Sequence, residues 1–586
     1  MRQDKRAYTE NLCEEVENNM KIGNNRQLYG LVKKMTRKFQ PRLNMIKSAS
    51  GENIVDPDKI AHRWREYTEG LYSETNTTPA ILTIYEKEPP PLKSEVEKAM
   101  KMLNINKAPA PDGIPIELLR AGGPKTLNAM HQICTGIWET GDWPEDWVSS
   151  TFIPIAKKGD LSQCTNYRTI SLVSHASKVL LKVILNRIQA KTEQEIAPEQ
   201  AGFRPGKGTR DQVTNLRIIM AKLKEHNQPL YMCFIDFQKA FDSVQHERLW
   251  WTMLDMGYPP HLVSLLSKLY KSQKAAVRIA GVVSDWFKIG KGVRQGCVLS
   301  PTLFNIVSEM VMRKALENFK GGILIGGRRI SNLRYADDIV LLASSIQELQ
   351  DVLDRITTAG IEFNLHMNIA KTKVMSLSGE PLRITINGTP LEQVKQFPYL
   401  GSMITADTTS SGDIRQRIGM GNAVLTGLKS IWQSHTLSIA SKIRLCKTLA
   451  WSVTTYGCES WTIRKEETKK IQAFEMRMLR KVLRIPWTAH RTNESILQET
   501  GYTRTLLGSI KKRKLTYLGH IMRKQGDNLE KTVIQGVVPG KRGRGRPRRT
   551  WMDDATEWTG MELEQMIKAT KDRNKWRRIV YNAANP

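Results

Sequence analysis

SNLRYADDIVLLASS, residues 331–345, sets two adjacent carboxylates, Asp337 and Asp338, at the bend between two apolar arms, 330–335 and 339–343. A second apolar run, LYMCFID at 230–236, ends on another carboxylate, Asp236. Strand alternation puts Met232, Phe234 and Asp236 on one face and Tyr231, Cys233 and Ile235 on the other, so one face is expected to bury while the carboxylate sits at the strand end. Three carboxylates brought together from two strands can hold a pair of Mg²⁺ ions roughly 3.5–4 Å apart, the arrangement that stabilises attacking and leaving oxygens in phosphoryl transfer. Main-chain oxygen near Phe237 can add a ligand, since Mg²⁺ prefers oxygen and keeps some water. The bland alternatives are a tight turn whose aspartates only tolerate unusual backbone angles, and a helix cap at Asp236. Asp242 is the better cap candidate. Two carboxylates side by side are costly without a cation, and this favours the metal reading and a nucleotidyl transferase. The ring of Phe241, five residues after Asp236, can lie against a nucleotide sugar, clash with a 2′-hydroxyl and so select DNA as product.

The rest of the chain is compatible with that chemistry. Its 586 residues exceed what one core organises, so three or four packed units are expected. A formal net charge of +31 attracts polyphosphate, and displacing condensed counterions from nucleic acid adds affinity. Ribosomal, chromatin and anionic-membrane partners are alternatives on charge alone. Seven scattered cysteines without a C-x-x-C pair argue for a reducing compartment and against zinc knuckles or a disulfide framework. No apolar run has bilayer length, and the start MRQDKRAYTE does not read as a signal peptide. A soluble intracellular protein is expected.

The pattern over 5–40 predicts an amphipathic helix broken at Gly23 and ending in the basic LVKKMTRKFQPR. The proline run EKEPPPLK at 86–93 reads as a stiff linker. Short apolar strands alternate with longer amphipathic helices from 152 to 402, which predicts an α+β unit; helical spacing dominates afterwards. The expected division is a basic helical lead-in at 1–90, a unit at 91–402, a helical domain at 403–485 and a basic region at 486–586 containing KRGRGRPRR. Between the carboxylate motifs, GVRQGCVLSPTLFNIV at 292–307 reads as a glycine loop entering a helix, with Ser300 as cap and Pro301 in the first turn. Gly292 and Gly296 would let backbone approach a ligand, and Gln295 can hydrogen-bond a base or template strand.

The ordered set FIDFQKAFD (234–242), GVRQGCVLSP (292–301), YADD (335–338), GIEFNLHMNIAKTK (360–373) and FPYLGS (397–402) resembles motifs A to E of reverse transcriptases, those of non-LTR (LINE-type) retrotransposons in particular. Upstream, NKAPAPDGIP, FIPIAKKGDLSQCTNYRTISL and QAGFRPGKGTRDQ resemble additional fingers motifs of that group. YGCESWTIRKEETKKIQAFEMRMLRKVL, GKRGRGRPRRTWMDD and DRNKWRRIV resemble the carboxy-terminal region of RTE/BovB-type elements. The resemblance implies a right-hand polymerase with fingers, an antiparallel palm sheet, a helical thumb and a basic helical extension. It makes Asp236, Asp337 and Asp338 carriers of two Mg²⁺, with Mn²⁺ as a substitute, and Phe241 a sugar gate. Lys157, Lys158 and Arg168 resemble fingers residues that grip a dNTP triphosphate, a task suited to a point charge and a bidentate guanidinium. Gln295 and Gly296 would face the template and nascent pair. Lys371 or Lys373 would protonate the pyrophosphate leaving group, and Phe397, Tyr399, Leu400 and Gly401 would hold a DNA primer end. Each lysine has a rival reading as a solvated surface charge.

Two departures stand out. Ala110 occupies a loop position where the family usually has glycine, which would strain a positive-φ site. The amino-terminal endonuclease usual in such elements has no counterpart expected here, so either a truncated copy or a gene model covering only the downstream part is expected. RGRPRR also resembles an AT-hook core for narrow minor grooves, but nonspecific phosphate binding by Lys541, Arg542, Arg544, Arg546, Arg548 and Arg549 is the favoured reading. Trp551 and Trp576 are expected in local core. The expected function is RNA-directed DNA polymerisation on an RNA template from a DNA primer or target, without a membrane partner and in the nucleus, with a cytoplasmic RNA–protein particle as the alternative location. Rivals are a decayed or domesticated copy that only binds nucleic acid, and an RNA-dependent RNA polymerase.

Overall fold

Five strands organise the centre of the molecule: β1 (Tyr231–Ile235), β2 (Asn332–Tyr335), β3 (Asp338–Ala343), β4 (Lys373–Ser376) and β5 (Glu392–Gln393). They lie in the order β2-β3-β1-β4-β5 in a computed structural model that describes residues 2–36, 45–74, 86–157, 159–279, 281–503, 505–526 and 528–585. All pairs are antiparallel except β4 with β5. The β3/β1 register sets Ile339 opposite Ile235; one step on, Asp338 continues beside Asp236. The β2/β3 hairpin closes on Ala336 and Asp337, with Tyr335 opposite Asp338.

The sequence predicts one buried face for β1, yet all five of its residues are buried. Tyr231, Cys233 and Ile235 face a core shared with helices Ser300–Leu316 and Ile346–Glu362. Met232 and Phe234 face a second core that includes helix Thr209–Glu225 and the carboxy-terminal helices from Leu506–Met522 to Arg573–Ala584. Burying such side chains contributes about 1.5–3 kcal/mol each, so the carboxy-terminal region is structural support for the palm as well as a basic extension. Trp551 and Trp576 are buried in that second core.

The expected 1–90 lead-in is divided between two places. Helices Arg2–Lys21 and Asn25–Thr36, separated at Gly23 (φ +74°), pack with helices Ser411–Gly427, Ile439–Thr454 and Lys465–Leu483; the basic stretch beyond residue 36 falls outside the described residues. Helix Pro57–Tyr72 instead covers a sheet of strands Ser149–Ala156, Tyr167–Leu172 and Lys274–Ile279. The proline segment is docked rather than a free spacer: Arg187 donates to the carbonyls of Pro89 and Pro90, and Trp138 Nε1 to that of Glu88 at 2.9 Å. Ala110 is not among the residues with positive φ; Gly113 takes that conformation at +66°. The loop turns at the glycine the sequence retains, so the expected strain does not arise.

Candidate active site

Asp236 leaves the end of β1 and lines two adjoining hollows. In the larger, with a volume of about 840 Å³, it is joined by Asp337, Lys157, Arg168 and Lys371. In the smaller it meets Asp338. Successive residues entering a strand point to opposite sides, which is why the expected trio is split into a pair plus a neighbour. Among the described residues no group of three or more metal-ligating side chains is drawn together as a finished cage. The chemistry still suits a hard divalent cation. Burial, then the charge of Asp236, pushes the Asp337 carboxyl up. Burial, then Asp337 and Asp236, pushes Asp338 up to about 6. Asp236 Oδ2 is shielded and accepts no hydrogen bond among the described residues, while Lys371 Nζ stands 3.3 Å away. An oxygen-only, mutually repelling set of this kind is what a bound Mg²⁺ would relieve. Phe237, next in sequence, lines the larger hollow.

The cation side comes from the fingers and from the loop before β4. Arg168 and Lys157 sit on the hairpin of strands Ser149–Ala156 and Tyr167–Leu172, where Lys157 N–H donates to Asn166 O at 2.8 Å. Burial, then the nearby Arg168 and Lys371 charges, pulls the Lys157 ammonium below its usual range, so this end of the hollow is short of negative charge. Lys158 lies outside the described residues. The two lysines proposed for proton transfer part company: Lys371 reaches Asp236, whereas Lys373 is held by Glu392 at 2.6 Å and by Ala370 O.

Phe241 borders the same hollow, its ring stacked on Phe304 at 4.5 Å and edge-on to Phe203 at 6.2 Å. Its neighbour Asp242 is not a helix cap. It lies within helix Ala240–Ser243 and accepts from Tyr72 Oη at 2.7 Å and from Gln295 Nε2 at 2.8 Å. The amide expected to meet a template is thus oriented by a buried carboxylate. Gly292 and Gly296 serve close approach to the protein's own chain: an added Cβ would lie 2.8 Å from Asp242 O and 2.5 Å from Ser171 O respectively. Ser300 is the first residue of its helix and makes no cap bond; the cap position falls to Leu299.

The primer-turn residues form a hairpin, Gln396–Tyr399 with Ser402–Thr405, that bends at Leu400 (φ +47°) and Gly401 (φ +80°). Phe397 stacks on Phe234 at 4.3 Å, and Tyr399 is 3% exposed. Both rings pack against the core behind β1, and with Pro398 they also border the smaller hollow that holds Asp236 and Asp338. The turn's carbonyls are already engaged, Leu400 O by Tyr456 Oη at 3.0 Å and Gly401 O by the Arg417 guanidinium. In the basic segment Arg549 is paired with Asp554 and Glu557, and Arg542 with Glu225. Arg548 borders a cleft with Lys224, Lys395 and Arg464, and Lys541, Arg544 and Arg546 are exposed.

Sequence reasoning missed Tyr72, Gln200, Arg417 and Tyr456. Gln200 and Tyr456 stood in quoted motifs, but nothing local to them names their partners. A catalytic-type carboxylate pair at the mouth of an antiparallel palm sheet, faced by cationic fingers and flanked by a helical thumb, is the right-hand polymerase fold.

Residues 155–404 match the family described as "Reverse transcriptase (RNA-dependent DNA polymerase)", and the chain carries a reverse transcriptase domain of the kind found in non-LTR retrotransposons. It is 27% identical over 359 residues to "Transposon TX1 uncharacterized 149 kDa protein" of Xenopus laevis, covering 58% of this chain and 27% of that protein. It is 27% identical over 419 residues to "RNA-directed DNA polymerase from mobile element jockey" of Drosophila funebris, covering 67% and 44%. The chain therefore spans between about a quarter and a half of the length of these relatives. Among solved structures, apo telomerase from Candida Tropicalis shares 13% identity at a TM-score of 0.36, covering 68% of this chain and 69% of that one. The seven cysteines are buried free thiols, and among the described residues no helix is long and apolar enough to cross a membrane.

Proposed function

We propose that this chain is an RNA-directed DNA polymerase that extends a DNA primer 3′-hydroxyl with dNTPs on an RNA template. The carrying observation is the single hollow that joins Asp236 and Asp337 to Lys157, Arg168 and Lys371. Bound at the carboxylates, a pair of Mg²⁺ ions, or Mn²⁺ in their place, would supply charge stabilisation for in-line displacement. The protein's own share is positioning and electrostatics. Lys157 and Arg168 hold triphosphate oxygens from the fingers side. Lys371, already beside Asp236, moves toward the leaving pyrophosphate and delivers its proton. Asp242 fixes Gln295 under the templating base, and Phe241, braced by Phe304 and Phe203, excludes a 2′-hydroxyl. Leu400 and Gly401 present the primer end through the turn backbone. Exposed Lys541, Arg544 and Arg546 add nonspecific phosphate contact.

In this reading the primer is a nicked chromosomal end and the template a transcript of a mobile element, as in RTE/BovB-type elements, so the site of action is the nucleus. Purified protein given poly(rA), oligo(dT), dTTP and Mg²⁺ should extend the primer, and Asp236→Asn should not. Tight binding of the duplex without extension would instead make the chain a nucleic-acid-binding remnant. Phe241→Ala should admit ribonucleotides while dTTP use continues; equal use of rNTPs by the unaltered protein would favour an RNA polymerase.

A further inference from the structure

The turn that carries Asp337 is held from behind by a segment without any carboxylate in the site. Gln200 is 1% exposed. Its Oε1 accepts from the N–H groups of Ala336 and Gly202, both at 2.8 Å, and its Nε2 donates to Ala336 O at 3.4 Å. The same strand-like segment is stitched to the outer arm of the hairpin, with Ala201 N–H donating to Arg334 O at 2.9 Å. Asn305 Nδ2 anchors its other side at Gly202 O, 2.8 Å away. The fit is tight: a Cβ on Gly202 would lie 2.3 Å from Ala336 N.

Ala336 itself has φ +56°, a conformation disfavoured for alanine that persists only where the surroundings over-determine it. The Gln200 amide supplies that determination. It grips the backbone N–H and C=O of Ala336, the residue before Asp337, so the direction in which the Asp337 carboxylate leaves the turn depends on it. We propose that Gln200 is a positioning residue for metal binding: by clamping Ala336 it aims Asp337 at Asp236 and sets the divalent-cation affinity of the pair. This deepens the polymerase reading given above and rests on it for the role of the cation. Partners that orient ligands without touching the metal typically change affinity or activity by about 10–100-fold when removed.

The test uses the full chain and Mn²⁺ as the probe, followed by electron paramagnetic resonance, beside primer extension at varied Mg²⁺. Gln200→Met keeps the volume and removes the hydrogen bonds. It should remain folded by circular dichroism, bind Mn²⁺ about 10–100-fold more weakly and need correspondingly more Mg²⁺ for half-maximal extension, with KM for dTTP unchanged. Gln200→Glu, still able to accept from both N–H groups, should recover most of the affinity. Should Gln200→Met fail to fold, Gln200→Asn, too short to span to Ala336, decides in its place. Mn²⁺ affinity equal to that of the unaltered chain in a variant that merely melts earlier overturns the proposal. So does an unaltered chain whose Mn²⁺ binding is no stronger than that of Asp337→Asn. If Mn²⁺ binding follows the expected order while no variant extends a primer, the positioning role stands and the polymerase reading falls.

Discussion

Two hairpins reach the carboxylates, one lining the larger hollow through Asp337 and the other bordering the smaller through Phe397, Pro398 and Tyr399, and their turns use their residues in opposite ways. At Ala336–Asp337 the chemistry is in a side chain, and the backbone is gripped by Gln200 so that the side chain has one direction. At Leu400–Gly401 the neighbouring rings of Phe397 and Tyr399 are turned into the core, and the turn offers only backbone, itself braced by Tyr456 and Arg417. A turn that carries charge must be fixed against its own repulsion, whereas a turn that offers backbone can be fixed by burying everything else. Substitutions at equivalent places should therefore have unlike effects.

The largest difference is expected between Asp337→Asn and Tyr399→Phe. Removing the carboxylate forfeits charge stabilisation worth several kcal/mol, so extension should fall by about a thousandfold or more, equivalent to about 4 kcal/mol. The Tyr399 hydroxyl is buried without a hydrogen-bond partner among the described residues; deleting it removes an unsatisfied group and should leave extension unchanged and raise the melting temperature slightly. Equal losses in a single-nucleotide extension assay would erase the distinction between the turns. Next in size is the lysine pair. Lys371→Met should lower kcat by about 100-fold, the low end of general acid catalysis. Lys373→Met loses its ties to Glu392 and to Ala370 O, neither of them in the larger hollow, and should keep kcat. The reverse result would reassign the proton donor.

A smaller effect is expected from pH acting on the charged turn alone. The folded-state pKa of Asp338, about 6, is raised above its unfolded value, so the folded state binds that proton more tightly. In the absence of metal its contribution to stability is favourable below the unfolded value and is lost as pH rises through about 6. A divalent cation reverses the sense, because it binds the ionised form. The rise in melting temperature on adding Mg²⁺ should therefore be largest above pH 7 and shrink toward pH 5, and Asp338→Asn should flatten the dependence. A metal-induced shift independent of pH across that range contradicts the assignment of Asp338 as a partner of the cation.

What could be read in the sequence follows the range of the interaction. Asp236, Asp337 and Asp338 were legible because alternation and adjacency are local, and the β3/β1 register then places Asp338 next to Asp236. The split of the trio into two hollows depends on the pointing of consecutive residues at the very start of a strand, where a one-residue difference reverses the face. Burial of both faces of β1 needed helices far downstream, and the inward turn of Phe397 onto Phe234 is a contact between two separate motifs. Gln200 lies 136 positions from the peptide it grips, a separation over which no periodicity carries information. Asp242 looked like a cap because a short polar residue at a helix start usually is one; only the approach of Tyr72 from another unit shows otherwise.

Ala336→Gly should have the smallest effect, and its smallness is informative. Relieving an alanine at φ +56° recovers about 1–2 kcal/mol of left-handed strain, while glycine costs about 0.5–1 kcal/mol in unfolded-chain entropy. The Ala336 methyl is also lost from a site 2% exposed against the core, at about 0.8 kcal/mol for one buried carbon. The terms nearly cancel, so the melting temperature should move by no more than a few degrees. The Gln200 bonds go to backbone groups that glycine retains, so Asp337 keeps its aim and extension should stay within about threefold, a barrier change of about 0.6 kcal/mol. At the other turn, where Gly401 already occupies φ +80° and an added Cβ would lie 3.3 Å from Tyr456, the opposite exchange, Gly401→Ala, introduces strain with nothing to offset it. Primer extension and thermal melts of the two variants side by side would show whether the charged turn is held by its own residue or by Gln200 behind it: a large loss in Ala336→Gly assigns the rigidity to the alanine, and near-wild-type behaviour assigns it to the clamp.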